Sequence, residues 1–110
     1  YDLGSGHGDI VIASVKHFDV KQAIGIEVDL LRVKTAKRML AHQGISENRA
    51  KIIHGGAMDA KKYGISMATI VTCFMSPDAH QRSLRMITQN CRDDTRIVFY
   101  AFPPTPTPTP

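Results

Sequence analysis

Short β-branched apolar runs alternate along this chain with longer stretches of helical periodicity, and that alternation confines the fold to a narrow class. The runs are Ala23-Ile24-Gly25-Ile26, Lys51-Ile52-Ile53-His54, Ala68-Thr69-Ile70-Val71-Thr72-Cys73-Phe74 and Arg96-Ile97-Val98-Phe99-Tyr100-Ala101-Phe102. Most are continuously apolar, the pattern of strands covered on both faces. Tyr1-Asp2-Leu3 reads as the end of a further strand. The order is β-α-β-α-β, a short helix or loop, then β-α-β. It implies an α/β fold: a doubly wound, mostly parallel sheet with right-handed crossovers and helices on both faces.

Gly8 to about Phe18 is apolar almost all round (Ile10, Val11, Ile12, Ala13, Val15), which predicts a helix packed deep against the sheet. Asp29 is placed to cap a second helix ending at Gln43–Gly44, with Val33, Ala36 and Leu40 inward and Arg32, Lys34, Lys37 and Arg38 in water. Ser76-Pro77-Asp78 opens a third: serine caps, proline suits the first turn, and the carboxylate favours the positive end of the helix dipole. His80, Leu84, Ile87 and Cys91 form its expected buried stripe.

At 110 residues there is room for one domain, assigned to residues 1–103, followed by a proline- and threonine-rich tail over 104–110. Each tail proline fixes φ and removes a donor, so the tail reads as an extended, solvated polyproline-type segment. No apolar run reaches the roughly 18 residues of a membrane-spanning helix. The opening Tyr1-Asp2-Leu3-Gly4 has neither the basic start nor the apolar core of a secretory leader. Cys73 and Cys91, in apolar surroundings, suit small buried hydrophobes in a reducing intracellular compartment, nucleus or cytoplasm. His17, His42, His54 and His80 show no ligand spacing, and no metal is expected. A net charge of +4 allows a negatively charged partner such as nucleic acid without requiring one.

The chemistry concentrates in Asp2-Leu3-Gly4-Ser5-Gly6-His7-Gly8-Asp9, a glycine-rich turn that leaves a strand and opens a helix. Glycines let a ligand approach the backbone, and the helix start offers free N–H groups. The spacing Gly4-x-Gly6-x-Gly8 departs from the dinucleotide fingerprint G-x-G-x-x-G, and no Gly-Lys-Ser/Thr of a P-loop follows. Asp2 and Asp9 disfavour a pyrophosphate but tolerate a zwitterion carrying an ammonium or a sulfonium. Glu27 ends the second strand 19 residues beyond Gly8, where a carboxylate can accept from two ribose hydroxyls. Its other reading, shared with Asp29, is as a cap for the following helix.

On these two motifs, Asp2-Leu3-Gly4-Ser5-Gly6-His7-Gly8 and Gly25-Ile26-Glu27, the sequence resembles the class I S-adenosylmethionine-dependent methyltransferases, with their seven-stranded Rossmann-like fold. Ile70 to Met75 and Asp94 to Pro103 are similar to strands of the protein-lysine methyltransferases of that fold: Dot1-type histone enzymes, small archaeal enzymes and mitochondrial relatives. The resemblance implies S-adenosyl-L-methionine as cofactor and a protein substrate presenting a lysine, a histone or another basic protein. It further implies that Asp2, Gly4, Gly6 and Gly8 wall the methionine part, that backbone around Ser5 and His7 meets its amino acid group, and that Glu27 holds the ribose. The turn Gly55-Gly56-Ala57-Met58-Asp59 would face the adenine. There Gly56 aligns with a position that is acidic or amide in many relatives, which leaves Asp59 to bond the adenine amino group. Thr72 and Cys73 would stand by the cofactor, with Thr72, Phe74 and Tyr100 as the catalytic candidates near the methyl and the incoming amine.

Three departures accompany the resemblance. Dot1-type enzymes carry asparagines where Thr72 and Cys73 stand. Base-amino methylases carry Asn/Asp-Pro-Pro-Tyr/Phe where this chain has Cys73-Phe74-Met75-Ser76-Pro77. Relatives have a segment before the first strand and strands beyond the fifth, so the sequence reads as a cofactor-binding core truncated at both ends. Competing readings are a methyltransferase acting on RNA, DNA or a small molecule, and a non-catalytic nucleotide- or nicotinamide-binding module.

Overall fold

A computed structural model describes residues 1–105; positions 106–110, most of the expected proline tail, lie outside the described residues. The elements are β1 (Asp2–Leu3), α1 (Asp9–Phe18), β2 (Ala23–Glu27), α2 (Leu30–His42), β3 (Ala50–His54), two 3-10 helices (Ala57–Tyr63 and Ile65–Met67), β4 (Ile70–Cys73), α3 (Pro77–Asn90) and β5 (Arg96–Phe99). The five strands form one sheet in the order β3-β2-β1-β4-β5. Every pairing is parallel, as the alternation of elements implies. β1 is central: Asp2 pairs with Gly25 on one side and Thr72 on the other. Strand order reverses between β1 and β4, which opens a crevice beyond their carboxyl ends.

Two apolar cores sandwich the sheet. One joins Val11 of α1 and Val33, Ala36 and Leu40 of α2 to Ala23, Ala50 and Ile52. The other joins Leu3, Ile26, Val71 and Cys73 to the 3-10 segment (Ala60, Ile65) and to Met86 and Ile87 of α3. α2 follows its sequence pattern closely. Asp29 Oδ1 accepts from the N–H groups of Leu31 (2.9 Å) and Arg32 (3.3 Å). Ser76 caps α3 by accepting from the Ala79 N–H at 3.2 Å.

Three expectations need correction. α1 is not packed deep: only Val11 is buried and Ile10 is 39% exposed. Among the described residues no helix covers its neighbouring sheet face, over β4 and β5, which leaves Ile70 and Val98 half exposed. The buried face of α3 is His80, Ser83, Met86 and Ile87, with Cys91 serving as its C-cap. β5 stops at Phe99, because Ala101 (φ 58°) and Phe102 (φ 48°) turn into the left-handed region. Thr105, at the start of the tail, is held by Gln81 of α3: the Thr105 N–H donates to Gln81 Oε1 (3.0 Å) and the Gln81 amide donates to the Thr105 carbonyl (2.7 Å).

Candidate functional site

The loop from β1 to α1 is tied to β2. The N–H groups of Gly4 and Ser5 both donate to the Ile26 carbonyl, at 2.9 and 3.1 Å. The glycines then do different work. A Cβ on Gly4 would meet Met75 Cγ at 2.7 Å, so Gly4 lets the turn after β4 lean against the loop. A Cβ on Gly8 would meet the Ala36 Cβ at 3.2 Å, so buried Gly8 admits α2 and does not face the crevice. Gly6 has φ +57° and nothing within 4 Å of its would-be Cβ, which leaves open space over the backbone where a ligand can lie.

Ser5 departs from its expected place. Its side chain is buried and fills the room that Gly25 leaves: a Cβ on Gly25 would stand 2.6 Å from Ser5 Oγ. Its N–H is bonded to Ile26 and its carbonyl accepts from the Gly8 N–H at 3.0 Å. The exposed His7 keeps its backbone N–H without an acceptor among the described residues, and it is the donor this loop offers.

Glu27 is buried at the end of β2 with each carboxylate oxygen engaged. Oε1 accepts from the Gly6 N–H (2.8 Å) and Oε2 from the Asp29 N–H (2.9 Å). It thus braces the loop and the start of α2 together. Each oxygen retains a lone pair, so the carboxylate can still accept from vicinal hydroxyls.

Asp2, also buried, accepts at Oδ1 from the Thr72 hydroxyl at 2.7 Å, across the β1–β4 pairing. Burial pushes its carboxyl up to about 6; the Glu27 charge adds to the rise and the Thr72 bond opposes it. Asp2 and Thr72 also border a cavity of about 590 Å³ that does not reach the Gly6 loop or Glu27: it runs from Ile10 and Ser14 of α1 to Gln22, Asn48 and Met67, toward the amino ends of the strands. A cation beside Asp2 would favour the ionised carboxylate.

Beyond the carboxyl ends of β4 and β5, Phe74 and Tyr100 stack with ring centroids 4.6 Å apart and planes at 26°. Both are more than half exposed, so they form a wall at the mouth of the crevice rather than core. Cys73 points the other way, into the core with Val71 and Ile87, and burial pushes its thiol up to about 12. It is a filler there, and its side chain faces away from Asp2 and Thr72. In the turn after β3, the Asp59 carboxylate stands 3.1 Å from where a Gly56 side chain would begin, so Asp59 leans into the place a residue-56 side chain would take. The structure therefore gathers Asp2, Gly4, Gly6, His7, Glu27, Thr72, Phe74 and Tyr100 around the carboxyl ends of the central strands. It leaves Ser5, Gly8 and Cys73 in the packing behind them. Met75 closes the segment that the resemblance places near the methyl, and its approach to Gly4 is displayed only by the folded chain. Among the described residues no cluster of His, Cys, Asp or Glu has metal-binding form, and no helix is long and apolar enough to cross a membrane.

The ANTKMT methyltransferase domain matches residues 2–109. The chain belongs to the ANTKMT methyltransferase domain family. Its fold is the class I methyltransferase fold that the two motifs anticipate. This ANTKMT-family chain is 32% identical over 102 residues to a protein-lysine N-methyltransferase of Saccharolobus islandicus (strain REY15A), across 93% of the chain and 61% of that protein. It superposes with a TM-score of 0.82 on the crystal structure of an RNA methyltransferase from Salinibacter ruber in complex with S-adenosyl-L-homocysteine, at 30% identity, covering 90% of the chain and 61% of that one. A precorrin 8W decarboxylase from Methanobacterium thermoautotrophicum shares the fold at a TM-score of 0.74 and 21% identity. The chain thus spans 61% of the length of the first two.

Proposed function

We propose that this chain is the cofactor-binding core of an S-adenosylmethionine-dependent methyltransferase that modifies lysine side chains of proteins. The observation that carries the cofactor is the open cradle over Gly6 beside the braced Glu27 carboxylate: a backbone a ligand can touch, next to acceptors for a ribose. His7 N–H is free for a carboxylate, Asp2 lies close for a positive charge, and Asp59 leans toward the adenine side. The lysine substrate is supported by family membership and by the archaeal relative. Thr72 and Cys73, in place of asparagines, favour the archaeal type over the Dot1 type.

When bound, the cofactor would supply an electrophilic methyl group on a sulfonium for transfer to a neutral amine, the S–C electron pair leaving with the thioether and the positive charge passing to the nitrogen. The protein's part is alignment and desolvation. Glu27 and the Gly6 backbone fix the donor's orientation. Phe74 and Tyr100 offer apolar faces along which a lysine stem sheds water, and that lowers the amine from its usual pKa of about 10.4 toward the neutral form that holds a lone pair. The Thr72 hydroxyl proton is committed to Asp2, so Thr72 sets the Asp2 carboxylate in place.

Calorimetry with S-adenosylmethionine against NAD tests the cofactor: binding of the first alone is expected, and binding of NAD alone overturns the reading. Transfer of a labelled methyl group to histones and other basic proteins, compared with RNA, tests the acceptor. Label in RNA only would move the assignment to the activity named for the Salinibacter protein.

A further inference from the structure

His80 is fully buried at the first turn of α3, yet both ring nitrogens are engaged with backbone on two different loops. The Met75 N–H donates to Nε2 at 2.7 Å, and Nδ1 lies 3.0 Å from the Phe102 carbonyl. An amide N–H can only donate and a carbonyl can only accept, so a single arrangement satisfies both: Nε2 bare and the proton on Nδ1. The ring also packs beside Phe99 (5.0 Å between centroids) and Phe102 (6.5 Å).

The two loops it joins are those that carry the aromatic wall. Met75 follows Phe74, and Phe102 lies two residues beyond Tyr100. The segment past β5 is also bent sharply, with Ala101 and Phe102 at positive φ, a conformation that persists only where the surroundings hold it. The Phe102 carbonyl is the point at which His80 holds it. Met75 in turn packs against Gly4 of the cofactor-side loop.

We propose that His80 is the positioning residue of the acceptor site: as the neutral Nδ1–H tautomer it clamps the β4–α3 turn to the segment after β5 and so keeps Phe74 stacked on Tyr100. The inference rests on the methyltransferase reading only for its effect on turnover; the clamp is a property of the fold. His80 touches no reacting atom and acts through the two rings.

Two variants separate a clamp from mere filling of space. His80→Leu keeps apolar volume and removes both bonds; His80→Asn offers an acceptor and a donor in one side chain. The expected ¹⁵N NMR signature of the wild type is a protonated Nδ1 and an unprotonated Nε2 at neutral pH. In His80→Leu the Phe74–Tyr100 ring contacts in NOE spectra are expected to vanish and Met75 amide exchange to rise at least tenfold, with Ile26 and Val71 amides unchanged. The acceptor KM is expected to rise tenfold or more, with S-adenosylmethionine affinity within threefold, and His80→Asn is expected to recover most of the loss. An Nε2–H tautomer, or ring contacts and acceptor KM unchanged in His80→Leu, overturns the clamp. If the wild type binds no S-adenosylmethionine while the ring contacts still depend on His80, the functional reading fails and the clamp stands.

Discussion

The Glu27 carboxylate holds the Gly6 amide at 2.8 Å, so a side chain at the end of β2 sets the height of the loop that follows β1. Its second oxygen holds the Asp29 amide, so the residue proposed to accept from the ribose also braces the loop and the start of α2. Glu27→Ala is expected to weaken S-adenosylmethionine binding by about 1–3 kcal/mol, the scale of a lost charge-assisted hydrogen bond, or about 5- to 150-fold. Two N–H groups lose their acceptor as well, so the melting temperature is expected to fall by about 5 °C. Calorimetry and a thermal melt check both, and unchanged affinity refutes the ribose assignment.

Gly6 and Gly8 are two residues apart and are expected to fail differently. Gly6→Val puts a side chain into the open space over the loop at φ +57°; the strain costs about 1–2 kcal/mol, the fold survives, and cofactor binding is lost. Gly8→Val drives a side chain into Ala36, 3.2 Å from its Cβ, and separates α2 from the loop. Circular dichroism and calorimetry distinguish them: a folded Gly6→Val that binds normally would remove the cradle from the argument.

Much of this arrangement is legible in the sequence because it is local. Asp29, Val33, Ala36 and Leu40 announce α2 by capping chemistry and spacing, and Ser76-Pro77 announces α3 in the same way. The parallel sheet follows from alternation. What escaped depends on neighbours distant in sequence. The apolar circumference of α1 reads as full burial, but among the described residues nothing covers the sheet face beside it over β4 and β5. Cys73 looks like a site residue because it ends a central strand, but strand pleating sends its thiol to the face opposite Thr72. The Glu27 bond to the Gly6 N–H and the contact of His80 with the Phe102 carbonyl span 21 and 22 residues and come together only in the fold.

The two thiols are expected to separate cleanly under alkylation. Burial pushes Cys73 up to about 12 and raises Cys91 less fully, for Cys91 is only partly buried. At pH 8 the Cys73 thiolate is about one part in ten thousand, so iodoacetamide labels Cys91 first and reaches Cys73 only in denaturant. Mass spectrometry of the labelled peptides reads the order. Rapid labelling of Cys73 in the folded chain would contradict its place in the core.

Asp2 supplies the pH dependence. Its carboxyl lies at about 6 in the folded chain against an ordinary 3.8, chiefly through burial, so the folded state keeps a proton that the unfolded chain has already released. Its contribution to stability is therefore fully present below about pH 4 and is lost as pH rises through 6. Asp2→Asn keeps an acceptor for the Thr72 hydroxyl and removes the charge. The variant is expected to match the wild type near pH 4 and to exceed it at pH 7.5 by up to about 3 kcal/mol, the worth of a two-unit shift. Cofactor binding runs in the opposite sense. A sulfonium and an ammonium beside Asp2 favour its ionised form, so wild-type affinity for S-adenosylmethionine is expected to rise as pH climbs from 5 to 7, and the asparagine variant to lose that slope. Denaturation midpoints and calorimetric titrations across this range test the two halves separately. Parallel stability curves would mean that Asp2 is not held in a desolvated place, and a pH-independent affinity in the wild type would mean that the cofactor's positive charge lies elsewhere.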